Sequence, residues 1–238
     1  MILKGKVAIV TGSGRGIGRA TALLFSSEEA KVVVASRKES ELKKTSQEIK
    51  KSGGEVLALK CDVKKVSDIK RVVSATLKKF GRIDILVNNA GVVYQRPLDE
   101  MNESKVDEQI DTNLRGLIHF CRVVLPHMIK RRNGVIVNVA SGAGHYAFEN
   151  LAVYCATKSG VLAVTSSLAK EVGRHGIKIF AVCPGAVDTK MQEKILGSKV
   201  YAVARHVMIK PEKIANKILE LASGKSNVSS GGCANVYF

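Results

Sequence analysis

Short apolar, β-branched runs alternate along this chain with longer stretches of helical period. Strands are predicted at Lys6–Val10, Lys31–Ala35, Val56–Lys60, Ile83–Val87, Val135–Val139 and Lys178–Val182, with a weaker one at Ala234–Phe238. Helical patterning occupies residues 16–28, 39–51, 66–79, 103–130, 151–173 and 211–222. Runs such as Val32-Val33-Val34 and Ile136-Val137 show no polar alternation. That is how a strand reads when both faces of a parallel sheet are covered. Strand–helix alternation at this spacing implies right-handed βαβ units and an α/β, doubly wound parallel sheet of about seven strands. No repeat or low-complexity linker interrupts it, so one domain spanning residues 1–238 is expected, with an excursion at residues 188–210 before the last helix.

The first strand runs into Thr11-Gly12-Ser13-Gly14-Arg15-Gly16-Ile17-Gly18, and an apolar helix follows. The spacing is G-x-x-x-G-x-G with an added glycine at Gly14, so the strict G-x-G-x-x-G pattern fails. The physics is shared: glycines allow the tight turn, let a pyrophosphate approach the backbone and bring the helix close to the sheet. Placed between first strand and first helix, the turn makes the fold Rossmann-type and marks a dinucleotide site. An NAD site places Asp or Glu at the end of the second strand for the ribose 2′-hydroxyl. Here that position reads Ala35-Ser36-Arg37-Lys38, with no carboxylate before Glu39. Arg37, with Lys38 and Arg15, suits a 2′-phosphate, and Ser36 can donate to it. NADP(H) is therefore the expected cofactor.

Charge alters the picture less than its size suggests. The 238 residues carry 38 Lys+Arg against 21 Asp+Glu, a formal net charge of +17. The excess is spread through both halves, and the longest wholly basic run is Lys130-Arg131-Arg132. A solvated basic surface explains most of it, an anionic substrate or acidic partner comes second, and nucleic acid is not expected as the main ligand. Cys61, Cys121, Cys155, Cys183 and Cys233 show no C-x-x-C pair and no metal-ligand spacing. Buried thiols in a reducing compartment are the expectation. No signal-peptide core opens the chain and no apolar run approaches about 18 residues, so a cytoplasmic protein without a membrane span is expected.

Candidate chemistry gathers at the strand ends. Tyr154 and Lys158 stand at i and i+4 in a helical stretch, hence on one face. Ser141 lies 13 residues upstream, just after a strand, and Asn88-Asn89-Ala90-Gly91 follows the fourth strand at the same edge. Asn113 sits in a helix beside Asp111-Thr112. The motifs T-G-x-x-x-G-I-G, N-N-A-G, Ser…Y-x-x-x-K and Pro184-Gly185-Ala186-Val187-Asp188-Thr189 occur in order. Together they resemble the short-chain dehydrogenase/reductase family over residues up to about 222, and within it the 3-oxoacyl-(acyl-carrier-protein) reductases.

The resemblance implies an NADP-dependent oxidoreductase that moves hydride between nicotinamide and a carbonyl or secondary alcohol. It implies Tyr154 as general acid or base, Ser141 as the donor orienting the substrate oxygen, Lys158 on the nicotinamide ribose, and Asn113 positioning a proton-relay water. It also assigns Asp62 and Val63 to adenine, Asn88, Asn89, Ala90 and Gly91 to the ribose and central sheet, and Pro184, Gly185, Val187 and Thr189 to the nicotinamide carboxamide region. No metal is implied. Simple electrostatics agrees with the tyrosine's role: an ammonium ~4 Å away at an effective dielectric of ~20 contributes roughly 4 kcal/mol, about 3 pKa units downward before desolvation opposes it.

The substrate pocket is expected to take residues from Val92 to Gln95, from Gly142 to Phe148 (His145 and Tyr146 included), Ala186 and the 190–205 stretch. If the substrate is a thioester on acidic acyl carrier protein, Arg131, Arg132 and Arg174 resemble basic docking positions. General ketone, quinone or sugar dehydrogenases, and more remotely a nicotinamide-binding regulator, are the alternatives. The run Val92-Val93-Tyr94-Gln95-Arg96-Pro97 and the ending Ser229-Ser230-Gly231-Gly232-Cys233 depart from the carrier-protein reductases, and both touch substrate recognition or subunit contact. A homotetramer, or a homodimer, is implied through helices 103–130 and 151–173. The first of these carries Leu117, Ile118, Phe120 and Leu125, apolar surface beyond what one sheet face needs.

Overall fold

The computed structural model describes residues 1–237. Seven strands pair in parallel: β1 (Val7–Thr11), β2 (Lys31–Ser36), β3 (Val56–Lys60), β4 (Ile85–Asn88), β5 (Gly134–Val139), β6 (Ile177–Pro184) and β7 (Cys233–Val236). Their order is β3-β2-β1-β4-β5-β6-β7. The end of the expected seventh strand at Phe238 lies outside the described residues. β1 pairs with both β2 and β4, so the order reverses there and opens a crevice past the carboxyl ends of the strands.

Side chains alternate between two cores across the sheet. Ala8 and Val10 join Phe25 and Ala22 of α1 (Gly16–Ser27), Leu42 and Ile49 of α2 (Glu39–Lys51), and Ile214 and Ile218 of α9 (Pro211–Ser223). Ile9 faces the other way, towards Val72 of α3 (Val66–Phe80), Phe120 of α5 (Gly116–Arg131) and Val161 of α6 (Ala152–Val172). Covering both faces is why the strands read as unbroken apolar runs. Among the described residues no helix is long and apolar enough to cross a membrane.

Three expectations change. The helical stretch 103–130 is broken: α4 (Glu103–Ile110) passes into a π-helical turn at Asp111–Arg115 before α5 begins. Of Leu117, Ile118, Phe120 and Leu125, only Ile118 is exposed, the other three being buried within the protomer, and Ile110 on α4 is exposed as well. The 188–210 excursion is two short helices, α7 (Lys190–Leu196) and α8 (Ser198–Ala204). It is tied back by Asp188, which accepts from Tyr201 Oη and from Lys210 Nζ (2.9 Å) and pairs with Arg205. Lastly, Cys183 and Cys233 are not free thiols: they form a disulfide between β6 and β7. The parallel register sets Cys183 opposite Asn235, which puts Cys233, two residues earlier, on the same face. One premise of the reducing-compartment expectation, the lack of any pairing, is thereby removed.

Candidate active site

The glycine-rich turn is locked from beneath. Thr11 Oγ1 accepts from the Asn89 and Ala90 amides at 2.9 and 3.0 Å, and Asn89 Nδ2 donates to the Thr11 carbonyl at 2.9 Å. This clamp joins the ends of β1 and β4, and Thr11 was absent from the expected site. A Cβ on Gly18 would lie 2.5 Å from the Gly12 carbonyl oxygen, so that glycine serves packing of α1 against the turn. Ser13 is wholly buried: its hydroxyl accepts from the Ala35 amide at 2.9 Å, which fixes the turn to β2 and keeps Ser13 from any ligand.

Above the turn lies a cavity of about 360 Å³. Gly12, Arg15, Gly16 and Ile17 form one wall, Ser36, Arg37 and Lys38 one end, and Ala90 and Gly91 the floor. It also takes in Glu41, Cys61, Thr112, Lys190 and Met191, none of which was among the expected cofactor residues. The cations are held by carboxylates: Arg37 Nη1 is 3.1 Å from Glu108 Oε1, while Arg15 and Lys38 both approach Glu41 Oε1, at 3.5 and 3.7 Å. Glu108 also accepts from Tyr94 Oη at 2.7 Å and sits beside Lys105. These partners, the tyrosine hydroxyl first, hold its carboxyl at about 2, so it stays charged at neutral pH. Val63 lines the cavity and Asp62 does not; Asp62 Oδ1 accepts from the Lys64 amide at 3.1 Å in a local turn.

A second cavity of about 340 Å³ shares Ile17, Asn89, Gly91, Thr189 and Met191 with the first, so the two form one continuous groove. Ser141, Tyr154 and Lys158 meet here with Pro184, Gly185 and Val187. Phe148, Ala186 and Ile195 line it as expected, whereas Val92–Gln95 and His145 do not. Val93 is instead buried beneath Tyr154, packed with Ala143 and Leu151, and the Tyr94 hydroxyl is taken by Glu108.

Tyr154 is 8% exposed and Lys158 4%. Lys158 Nζ donates to the Val139 carbonyl at 2.8 Å and stands 5.6 Å from the Tyr154 ring centroid. Burial pushes the tyrosine up to about 12, although its hydrogen bond with Ser141 pulls the other way, and burial brings the lysine down to about 8. The expected lowering of Tyr154 is therefore not met in this state of the site: desolvation outweighs the Ser141 hydrogen bond, and the Lys158 ammonium donates to a backbone carbonyl instead of the phenol. A protonated, water-shielded tyrosine beside a serine hydroxyl can donate a proton to a substrate oxygen.

Asn113 lies in the π turn, behind the groove. Its Oδ1 accepts from the Val92 amide at 2.8 Å, and its Nδ2 donates to the Val92 carbonyl at 2.9 Å and to Thr157 Oγ1 at 3.2 Å. The side chain thus fixes the strand-end loop to α6. Asn88 works lower still, donating to Asn138 Oδ1 at 3.0 Å between the central strands.

The groove fits a dinucleotide. The turn's glycines leave no room for side chains: a Cβ on Gly12 would meet Asn89 Nδ2 at 2.9 Å and one on Gly14 would meet Glu41 Cβ at 2.8 Å. The free amides that open α1 are the donors a pyrophosphate needs. The buried Thr112 Oγ1, on the cavity wall, has no hydrogen-bond partner among the described residues.

Comparison with known proteins decides the family. Residues 6–199 match the short chain dehydrogenase family. The chain belongs to it. Among curated relatives, it is 38% identical over 235 residues to the 3-oxoacyl-(acyl-carrier-protein) reductase FabG of Thermotoga maritima, covering 97% of this chain and 96% of that one. It is 34% identical over 238 residues to the enzyme of the same name from Staphylococcus epidermidis, covering 97% of each. Among solved structures, levodione reductase superposes with a TM-score of 0.93 at 29% identity, covering 98% of this chain and 96% of that one. An actinorhodin polyketide ketoreductase solved with NADPH gives 0.92 at 30%, covering 98% and 95%. The protein is a short-chain oxidoreductase acting between carbonyl and CH–OH groups.

Arg131, Arg132 and Arg174 do not flank this groove within the protomer. Arg131 Nη1 binds Asp84 Oδ1 at 3.1 Å just before β4, and Arg132 donates to the Arg174 carbonyl just before β6. All three sit at the amino ends of the strands, across the sheet from Tyr154.

Proposed function

We propose that this chain is an NADPH-dependent reductase of 3-oxoacyl thioesters, with acyl carrier protein as the carrier of the acyl chain. The observation that carries the cofactor half is the cluster of Ser36, Arg37, Lys38 and Arg15 at the end of the groove away from Tyr154. Three cations there suit a 2′-phosphate, and no carboxylate stands at the end of β2 for a free ribose hydroxyl. When bound, NADPH supplies the hydride. Gly12, Gly16 and the amides opening α1 hold its pyrophosphate, and Lys158 holds the nicotinamide ribose. Val187 and Thr189 hold the carboxamide, Ser141 donates to the substrate carbonyl oxygen, and Tyr154 Oη gives that oxygen its proton. Asn113 keeps the Val92 loop and α6 in register so that these groups meet.

The substrate half draws support from the two curated relatives of that activity. A second reading, reduction of small free ketones, is favoured by one observation: the candidate docking arginines lie across the sheet from the groove of their own protomer. An assembly of two or four copies is part of the proposal, and the exposed Ile110 and Ile118 support it. A cytoplasmic setting is proposed with it. The deciding assay follows NADPH oxidation with acetoacetyl thioester on acyl carrier protein, on a short pantetheine mimic, and with a panel of free ketones and sugars. Preference for the carrier-bound thioester supports the first reading. Turnover of free ketones alone supports the second.

A further inference from the structure

We propose that the reduced protein holds a thiophilic divalent cation, zinc being the physiological candidate, between Cys183, Cys233 and His145. Nothing in the oxidoreductase chemistry uses these residues. Their ligand atoms, two Sγ and one imidazole nitrogen, all lie within 4.8 Å of one another. Tetrahedral zinc with bonds of about 2.3 Å to sulfur and about 2.0 Å to nitrogen separates its ligand atoms by about 3.5–3.8 Å, which small side-chain rotations reach. Two thiolates and a neutral imidazole form a soft set that favours zinc over hard cations and balances its charge.

The three residues come from different segments, yet the fold fixes them independently of the disulfide. Strand pairing holds β7 to β6 through Ala181 N to Gly232 O at 3.0 Å and Gly185 N to Val236 O at 2.8 Å. The His145 amide donates to the Gly142 carbonyl at 3.0 Å, and its exposed imidazole makes no hydrogen bond among the described residues. Asn235 Oδ1 lies 3.5 Å from Cys233 Sγ. Two of the three remaining thiols compete poorly: Cys61 and Cys121 are buried, which raises each to about 12, and the half-buried Cys155 is the control.

Disulfide and metal exclude each other, which makes the site redox-gated. A thiol reductant converts the disulfide to two thiols and is itself oxidised to its own disulfide. Zinc then displaces both thiol protons and binds the pair with His145, releasing two protons per ion.

The test is a titration of the whole protein with zinc against a chromophoric chelator, after reduction by a phosphine. Cobalt then serves as a spectroscopic probe. One equivalent of zinc should bind the reduced protein and none the oxidised. Cobalt should give thiolate charge-transfer absorption. Cys233→Ser should abolish binding, His145→Ala should weaken it at least about tenfold, and Cys155→Ser should leave it in place. His145 is exposed, so its variant tests the site even where a cysteine variant fails to fold. Absence of binding to reduced protein, binding unaffected by His145→Ala, or loss on Cys155→Ser would each overturn the assignment.

Discussion

Lys158 stands 5.6 Å from the Tyr154 ring centroid, but its ammonium donates to the Val139 carbonyl at 2.8 Å rather than to the phenol. The pair thus shares a water-shielded pocket without neutralising each other. Tyr154 is protonated throughout the neutral range, and its proton is available to a developing alkoxide. Tyr154→Phe should lower kcat by about 10²–10⁴-fold with little change in melting temperature or NADPH affinity. Steady-state kinetics beside a thermal melt checks this, and a variant that keeps full turnover would remove Tyr154 from the proton path.

Burial of Lys158 also makes stability depend on pH in a defined window. Its value falls from 10.5 to about 8 on folding, so between those limits the unfolded chain binds more protons than the native one. Stability should therefore rise with pH from about 8 to about 10.5 on this account. Tyr154 acts oppositely: raised from 10.0 to about 12, it should subtract stability as pH climbs through that interval. Lys158→Met should remove the first slope while abolishing most activity. Chemical denaturation at several pH values, wild type against variant, reads the difference.

Arg37 is engaged by Glu108 at 3.1 Å, a pair that a 2′-phosphate would have to share. Arg37→Ala should weaken NADPH binding about ten- to a hundredfold and leave NADH nearly unchanged. Glu108→Gln should leave the arginine's charge uncompensated and tighten NADPH binding. Fluorescence titration with both cofactors resolves the two variants, and equal losses for NADPH and NADH in Arg37→Ala would contradict the assignment.

Gly18 supports the site by having no side chain. Gly18→Ala would set a Cβ against the Gly12 carbonyl and the Asn89 amide, backbone and clamp that cannot easily move. The cost expected for such overpacking is about 1–3 kcal/mol. A fall in melting temperature accompanied by weaker NADPH binding is the expected result.

The fold was legible because burial on both faces writes parallel strands as unbroken apolar runs, and six strands lie within about two residues of their expected bounds. The groove was legible because glycines, Ser141 and the Tyr154–Lys158 spacing are local signals. What escaped depends on contacts distant in sequence. Cys183 and Cys233 are 50 residues apart and meet only through strand register. Asp62 and Ser13 look like ligands in sequence, yet spend their polar atoms on the backbone of Lys64 and Ala35. Arg131 resembles a docking residue in sequence, and only the fold shows Asp84 holding it at the amino ends of the strands, away from its own protomer's groove. The π turn at Asp111–Arg115 escaped because its polar run Asp111-Thr112-Asn113 carries no apolar residue on which a one-residue slip in helical phase would show. Glu108 was invisible for a related reason: its tie to Arg37 spans two separate βα units.

Mixing the protein with NADPH and acetoacetyl thioester, following absorbance and identifying the product, reads the proposed reaction itself. One 3-hydroxyacyl thioester should form per NADPH oxidised, with kcat/KM for NADPH at least about tenfold above that for NADH. No thioester reduction, or NADH used equally well, would contradict it.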